Sequence, residues 1–145
     1  MPVADIAAAR DQGGMSQHLA ERAAITDLVA AYGDAVSRRD ADAWAATWAS
    51  DATWSLMGHE VAGRDAIVAL WLGAMAQFDA VSFVTALGPI SLNGDTASAR
   101  CQTHEVLRST DGTIRRVAGS YDDSFVHRDG RWLFARRVFA IVIEH

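Results

Sequence analysis

The chain of 145 residues carries 13 Lys and Arg against 18 Asp and Glu, a net charge of -5, so it presents no basic field to nucleic acid or to an anionic membrane. Half of its residues are hydrophobic and 21% are charged, as in folded globular domains and unlike disordered or fibrous chains. A single cysteine, Cys101, excludes an intrachain disulfide and any structural zinc or iron–sulfur site built from thiolates.

A chain of this length suits one domain with one core. Its opening, "MPVADIAAARDQGG", has neither the basic start nor the apolar run of a secretory leader. No stretch approaches the roughly 18 uninterrupted apolar residues of a membrane span. The expected address is therefore a reducing cytoplasm. Residues 1 to 15, rich in Ala, Asp and Gly and ending in Gly13-Gly14, read as a flexible N-terminal arm, with the domain itself over 16–145.

From Ser16, a candidate N-cap, Ile25, Leu28, Val29, Tyr32 and Val36 recur at spacings of three and four and predict an amphipathic helix. Asp40 opens a second short helix, "ADAWAATWAS", which would hold Trp44 and Trp48 on one face. "ATWSL" then reads as a strand and "MGHEVAG" as its hairpin-like return. "RDAIVALWLGAMAQF" follows as a third helix, with Ile67, Leu70, Trp71 and Met75 on its stripe. The remainder is β-rich: "VSFVTALGPISL", "TASARCQTHEVLR", "TIRRVAGSYDDSFV" and "RWLFARRVFAIVI" are separated by the turns "NGD", "STDG" and "HRDG". Asn-Gly and Asp-Gly punctuation of this kind predicts an antiparallel meander. Helices followed by a long sheet make an α+β domain, and a strongly curved antiparallel sheet with three helices across its concave face encloses an apolar pocket.

Periodicity sorts the candidate residues. At roughly 100° per residue Tyr32 lies in the middle of the first helix's apolar stripe, while Asp34 faces the other way as a surface carboxylate. Asp40 and Asp42 suit a helix start, as cap and dipole partner. In "SARCQTHEVLR" one face reads Ala99, Cys101, Thr103, Glu105 and Leu107, so Glu105 points into an apolar interior. Such a carboxylate would be raised towards neutrality and suit acid–base work, unless it pairs with an inward arginine. His104 is on the polar face, as a surface or interface residue. Tyr121, Asp123 and Phe125 share a face on the next strand, and a bulge there would exchange Asp123 for Asp122. The tryptophans, Trp71 and Trp54 among them, together with Phe83 and Tyr121, are core or pocket walls. The histidines show no metal-ligand spacing, and no phosphate loop or nucleophile elbow is present, so no metal and no cofactor is expected.

"ERAAITDLVAAYGDAVSRRDADAWAATWASDATWSL", "VAGRDAIVAL", "NGDTASARC" and "GSYDDSFVHRDGRWLFARR" together resemble the SnoaL-like branch of the nuclear transport factor 2-like superfamily, over about residues 20 to 143. The resemblance implies an α+β cone with a deep apolar pocket, a homodimer through the sheet, and cofactor-free proton transfer like that of polyketide cyclases, ketosteroid isomerases and scytalone dehydratase. It also implies that the His–Asp dyad of the dehydratase branches is absent. Its Asp position holds Ser37, and its His position falls at Ser82, Phe83 or Val84. Carried over from that branch, Tyr32 and Glu105 match a tyrosine and an acidic residue of the site, Arg137 matches a pocket arginine that could instead pair with Glu105, and Trp54 matches an aromatic at the entrance. The expectation is a cofactor-independent lyase or isomerase acting on a hydrophobic, cyclic, oxygenated small molecule. Glu105 and Asp123 would move the proton, and Tyr32 and Arg137 would stabilise an enolate. The competing expectation is a non-catalytic ligand-binding or subunit-assembly domain on the same fold.

Overall fold

A computed structural model describes the backbone of residues 3–145 and the side chains of residues 13–145. Ten elements follow one another: α1 (Val3–Arg38), α2 (Ala41–Ala45), β1 (Trp48–Leu56), β2 (His59–Ala62), α3 (Arg64–Met75), β3 (Phe78–Leu87), β4 (Ser91–Asn93), β5 (Thr96–Ser109), β6 (Ile114–Arg128) and β7 (Arg131–Glu144). The expectation for residues 1 to 15 falls partly outside the described residues. Ser16 lies inside α1 and does not cap its start.

The expected stripe on α1 is the face that packs, with Ile25, Val29, Tyr32 and Val36 buried against β3 and β7. The helix stops where Arg39 takes a left-handed conformation (φ 52°). Asp40 N–H then bonds Ala35 C=O at 2.9 Å and Arg39 N–H bonds Val36 C=O at 3.1 Å, a Schellman closure made without glycine. Asp40 turns at once to cap α2, accepting Ala43 N–H at 3.1 Å. The second helix is shorter than expected: it ends at Ala45, and Trp48 opens β1. Trp48 nonetheless meets Trp44, edge to face at 5.6 Å. One-turn helix and strand start therefore deliver the same pairing that a longer helix would have made.

The seven strands form one sheet in the order β2-β1-β7-β6-β5-β3, with β4 on β5. The C-terminal part is the expected meander. Asp129 and Gly130 (φ 52° and 76°) make the tight β6–β7 turn, the two-residue type that Asp-Gly favours. The "VSFVTALGPISL" stretch splits, its Gly-Pro interruption separating β3 from β4. The sheet is mixed, not wholly antiparallel, because β1 runs parallel to β7. That pair joins the first strand to the last, and the intervening elements supply the crossover that a parallel pair requires.

The curved, unclosed sheet holds the core on its inner face. Tyr32, Trp44, Trp48, Trp54, Trp71 and Phe134 form one aromatic cluster, with Trp44 and Trp71 stacked at 4.5 Å. Among the described residues no helix is long and apolar enough to cross a membrane.

Candidate functional site

Between α1, α3 and the inner face of the sheet lies a cavity of about 290 Å³. Exposure of its lining rises from floor to rim. Tyr32, Trp54, Trp71 and Tyr121 are buried at the floor. Met75, Phe78, Phe83, Glu105, Phe139 and Ile141 form a half-buried collar. Met57 and Arg115 are exposed at the rim. Six expected site residues thus share one wall: Tyr32, Trp54, Trp71, Phe83, Glu105 and Tyr121. Trp54, expected at the entrance, lies instead on the floor, where its indole N–H donates to the Tyr121 hydroxyl at 3.1 Å.

Glu105 is the one carboxylate on this wall. Its β3 partner is Phe83 and its β6 partner is Val117, so both cross-strand neighbours are apolar. Burial raises its pKa above the ordinary carboxylate range, and Arg115 at the rim draws it part of the way back. Arg115 is itself paired with Glu144 at 2.5 Å. The expected alternative partner, Arg137, is engaged elsewhere, so Glu105 keeps a free carboxyl.

Arg137 and Asp123 do not reach the cavity wall. They pair in a fork, Nε to Oδ1 at 2.7 Å and Nη2 to Oδ2 at 3.0 Å, with both side chains wholly buried. Asp123 faces inward as expected, while Asp122 faces out and pairs with Arg100. The roles expected of Asp123 and Arg137 as proton mover and direct enolate partner meet this obstacle: each is occupied by the other, behind the floor. The guanidinium carbon lies 3.7 Å from the Tyr121 ring centroid and 4.3 Å from those of Tyr32 and Phe134. Desolvation holds both tyrosines above the usual phenol range, Tyr121 the more strongly, with the Arg137 charge acting in the opposite sense on each. Both are therefore neutral hydroxyls at physiological pH.

Ser37, which the resemblance set at the dyad Asp position, meets Phe83, one of the three residues it offered for the His. Ser37 Oγ accepts the Phe83 N–H at 3.0 Å and donates to the Phe83 C=O at 3.3 Å, clipping α1 to the edge strand β3. The hydroxyl meets both of the free backbone groups of Phe83, which spends its one donor.

Sequence periodicity placed Glu105 and Met75 in the collar and missed Phe139 and Ile141. Phe139 fits because Gly119 lies beneath it: a Cβ there would come within 2.3 Å of the Phe139 ring. Phe139, Ile141 and Val117 carried the signal of inward alternation, which a bulge in β7 obscured. Other hollows lie elsewhere, among them one on the outer face around Gln102, His104 and Ser120 (about 550 Å³) and one between α1 and the β6–β7 turn around Glu21 and Trp132 (about 520 Å³). Neither has a comparable aromatic wall. Among the described residues no cluster of His, Cys, Asp or Glu is arranged to hold a metal ion.

A helix-covered cone of curved, mixed sheet is the architecture of the nuclear transport factor 2-like proteins. Residues 17–138 match the SnoaL-like domain, and the chain belongs to that family. No curated protein matches the chain in sequence. Among solved structures, a protein from Novosphingobium aromaticivorans provisionally assigned as a scytalone dehydratase superposes with a TM-score of 0.84 at 23% identity, covering 90% of each chain. A type 2 hexachlorocyclohexane dehydrochlorinase, LinA, gives 0.81 at 20% identity over 88% of this chain and 89% of its own. The type 3 enzyme from Novosphingobium barchaimii gives 0.80 at 20% identity over 88% and 90%. At these identities the likeness carries the fold.

Proposed function

We propose that the protein is a cofactor-independent lyase or isomerase that moves a proton on a small, neutral, oxygenated cyclic molecule. The observation that carries this reading is Glu105, a single unpaired carboxylate in the collar of an apolar cavity whose floor presents phenol donors. In its ionised form Glu105 takes a proton from the carbon beside a carbonyl. The electron pair passes to the carbonyl oxygen, which accepts a hydrogen bond from Tyr32. The enolate then either recovers the proton at another carbon, an isomerisation, or expels a β-hydroxyl that leaves as water with the proton held on Glu105, a dehydration. Two of the structurally similar proteins are named for eliminations, which is compatible with the second course.

A cavity of about 290 Å³ is at the lower end of ligand pockets. It suits one or two rings better than a four-ring skeleton. Catalysis by the dyad of the related dehydratases has no residues here, since Ser37 stands at the Asp position and Ser82, Phe83 and Val84 span that of the His. That same fact favours the second reading, a ligand-binding domain without chemistry.

Deuterium exchange beside the carbonyl of 1-tetralone, followed by NMR, separates the two. The wild-type protein should accelerate exchange, and Glu105→Gln should lose about 10²-fold or more of that acceleration while still binding the ketone. Binding without any accelerated exchange would leave the non-catalytic reading in place. We also propose a homodimer through the outer face of the sheet, where Val84 and Ile143 are more than 60% exposed.

A further inference from the structure

The cation behind the floor has an unusual setting. Arg137 is fully buried, forked onto Asp123, and pressed against the rings of Tyr121 at 3.7 Å and Tyr32 at 4.3 Å. Its remaining nitrogen, Nη1, makes no hydrogen bond. Packing alone would be served more cheaply by an apolar side chain, because a buried ion pair contributes little to stability over a well-packed hydrophobic replacement. What the pair does supply is a fixed positive charge on the faces of two phenols whose other edges line the cavity. A cation on the ring face withdraws electron density from the hydroxyl. Trp54 N–H, donating to the Tyr121 oxygen at 3.1 Å, acts in the same direction.

We propose that Arg137, clamped by Asp123, is a positioning residue that works through Tyr121 and Tyr32, strengthening their hydroxyls as donors to an oxygen that gains negative charge at the cavity floor. Arg137 itself never touches the ligand. Asp123 holds the guanidinium against the rings and keeps the cation from being an isolated buried charge. The proposal rests on the reading of the cavity as a site of enolate formation, and it revises the direct contact expected of Arg137.

The test is the infrared carbonyl stretch of 1-tetralone bound to the full-length protein, which shifts to lower frequency as the donors facing it strengthen. Wild type should show a shift beyond that in water, and Tyr32→Phe should lose most of it. The double variant Asp123→Asn with Arg137→Gln replaces the ion pair by two neutral amides, the first isosteric and the second shorter. It should still bind 1-tetralone but lose a substantial part of the shift. A folded double variant with the wild-type frequency would overturn the role of Arg137 while leaving the enolate reading intact. Absence of any shift in wild type, or no change in Tyr32→Phe, would overturn the enolate reading and this proposal with it. Should the double variant not fold, Arg137→Lys serves in its place. It keeps the charge but loses the fork and the guanidinium's contact with both rings, so a partial loss of shift supports the proposal and an unchanged frequency refutes it.

Discussion

Glu105 shows how one side chain can be set by its neighbours. Period-2 alternation on β5 places it inward, and Phe83 and Val117 on either side deny it a polar partner. Its pKa is raised in the folded state by burial. The folded protein therefore holds that proton more tightly than the unfolded chain does. Stability falls as pH climbs from the ordinary carboxylate value to the raised folded value, and the penalty is fully present above it. Glu105→Gln removes the titration. The variant should be more stable than wild type at neutral pH, and the gap should close as the pH drops through the ordinary carboxylate range. Urea unfolding of both proteins across that range measures it; a gap that does not vary with pH would show that burial leaves this carboxyl unchanged. The surface reading of Asp34 and the capping reading of Asp40 rest on equally local rules, and both hold: Asp34 is exposed beside Arg38, and Asp40 caps α2.

Among elements, one hydroxyl adds a polar clip to the apolar packing of α1 on β3. Ser37 satisfies both backbone groups of Phe83 on a strand that has no sheet neighbour on that side. Ser37→Ala leaves the pair unmet and should cost about 1–3 kcal/mol, the penalty of stranding half-buried polar groups. Hydrogen exchange should locate the loosening at β3, with little change at β6 and β7; uniform loss across the sheet would contradict a local clip. The serine was recognisable as the residue in the dyad position, but its partner was not, because a side chain bonding to backbone 46 residues away leaves no local pattern. The β7 strand was illegible for a different reason. Trp132 and Phe134 face inward, and strict alternation would then turn Arg136 in and Arg137 out. The register shifts between Phe134 and Arg136, and the extra residue reverses the alternation, so Arg137, Phe139 and Ile141 face the interior instead. Only the family resemblance brought Arg137 into view beforehand.

Across the whole molecule, local turns explain the legible part of the fold and non-local pairing the rest. The meander from β3 to β7 follows from Asn-Gly and Asp-Gly turns, which specify neighbours in sequence. The parallel β1–β7 pair joins residues more than eighty positions apart and has no turn to announce it. The outer face of the same sheet then presents a row in cross-strand register, Val84, His104, Ala118 and Ile143, with apolar Val106 in the adjacent row. An exposed apolar strip on an otherwise charged surface suits a self-complementary contact, in which each copy offers the same row to the other. If a second copy covers it, wild-type protein should sediment at about twice its 15.6 kDa chain mass. Ile143→Glu combined with Val84→Asp would set like charges against each other across the axis and should sediment as the monomer. The cavity opens on the opposite face, so 1-tetralone should still bind that variant. A wild-type protein that sediments as a monomer at every accessible concentration would remove the dimer, and the strip would then be left as exposed apolar surface with no partner of its own kind.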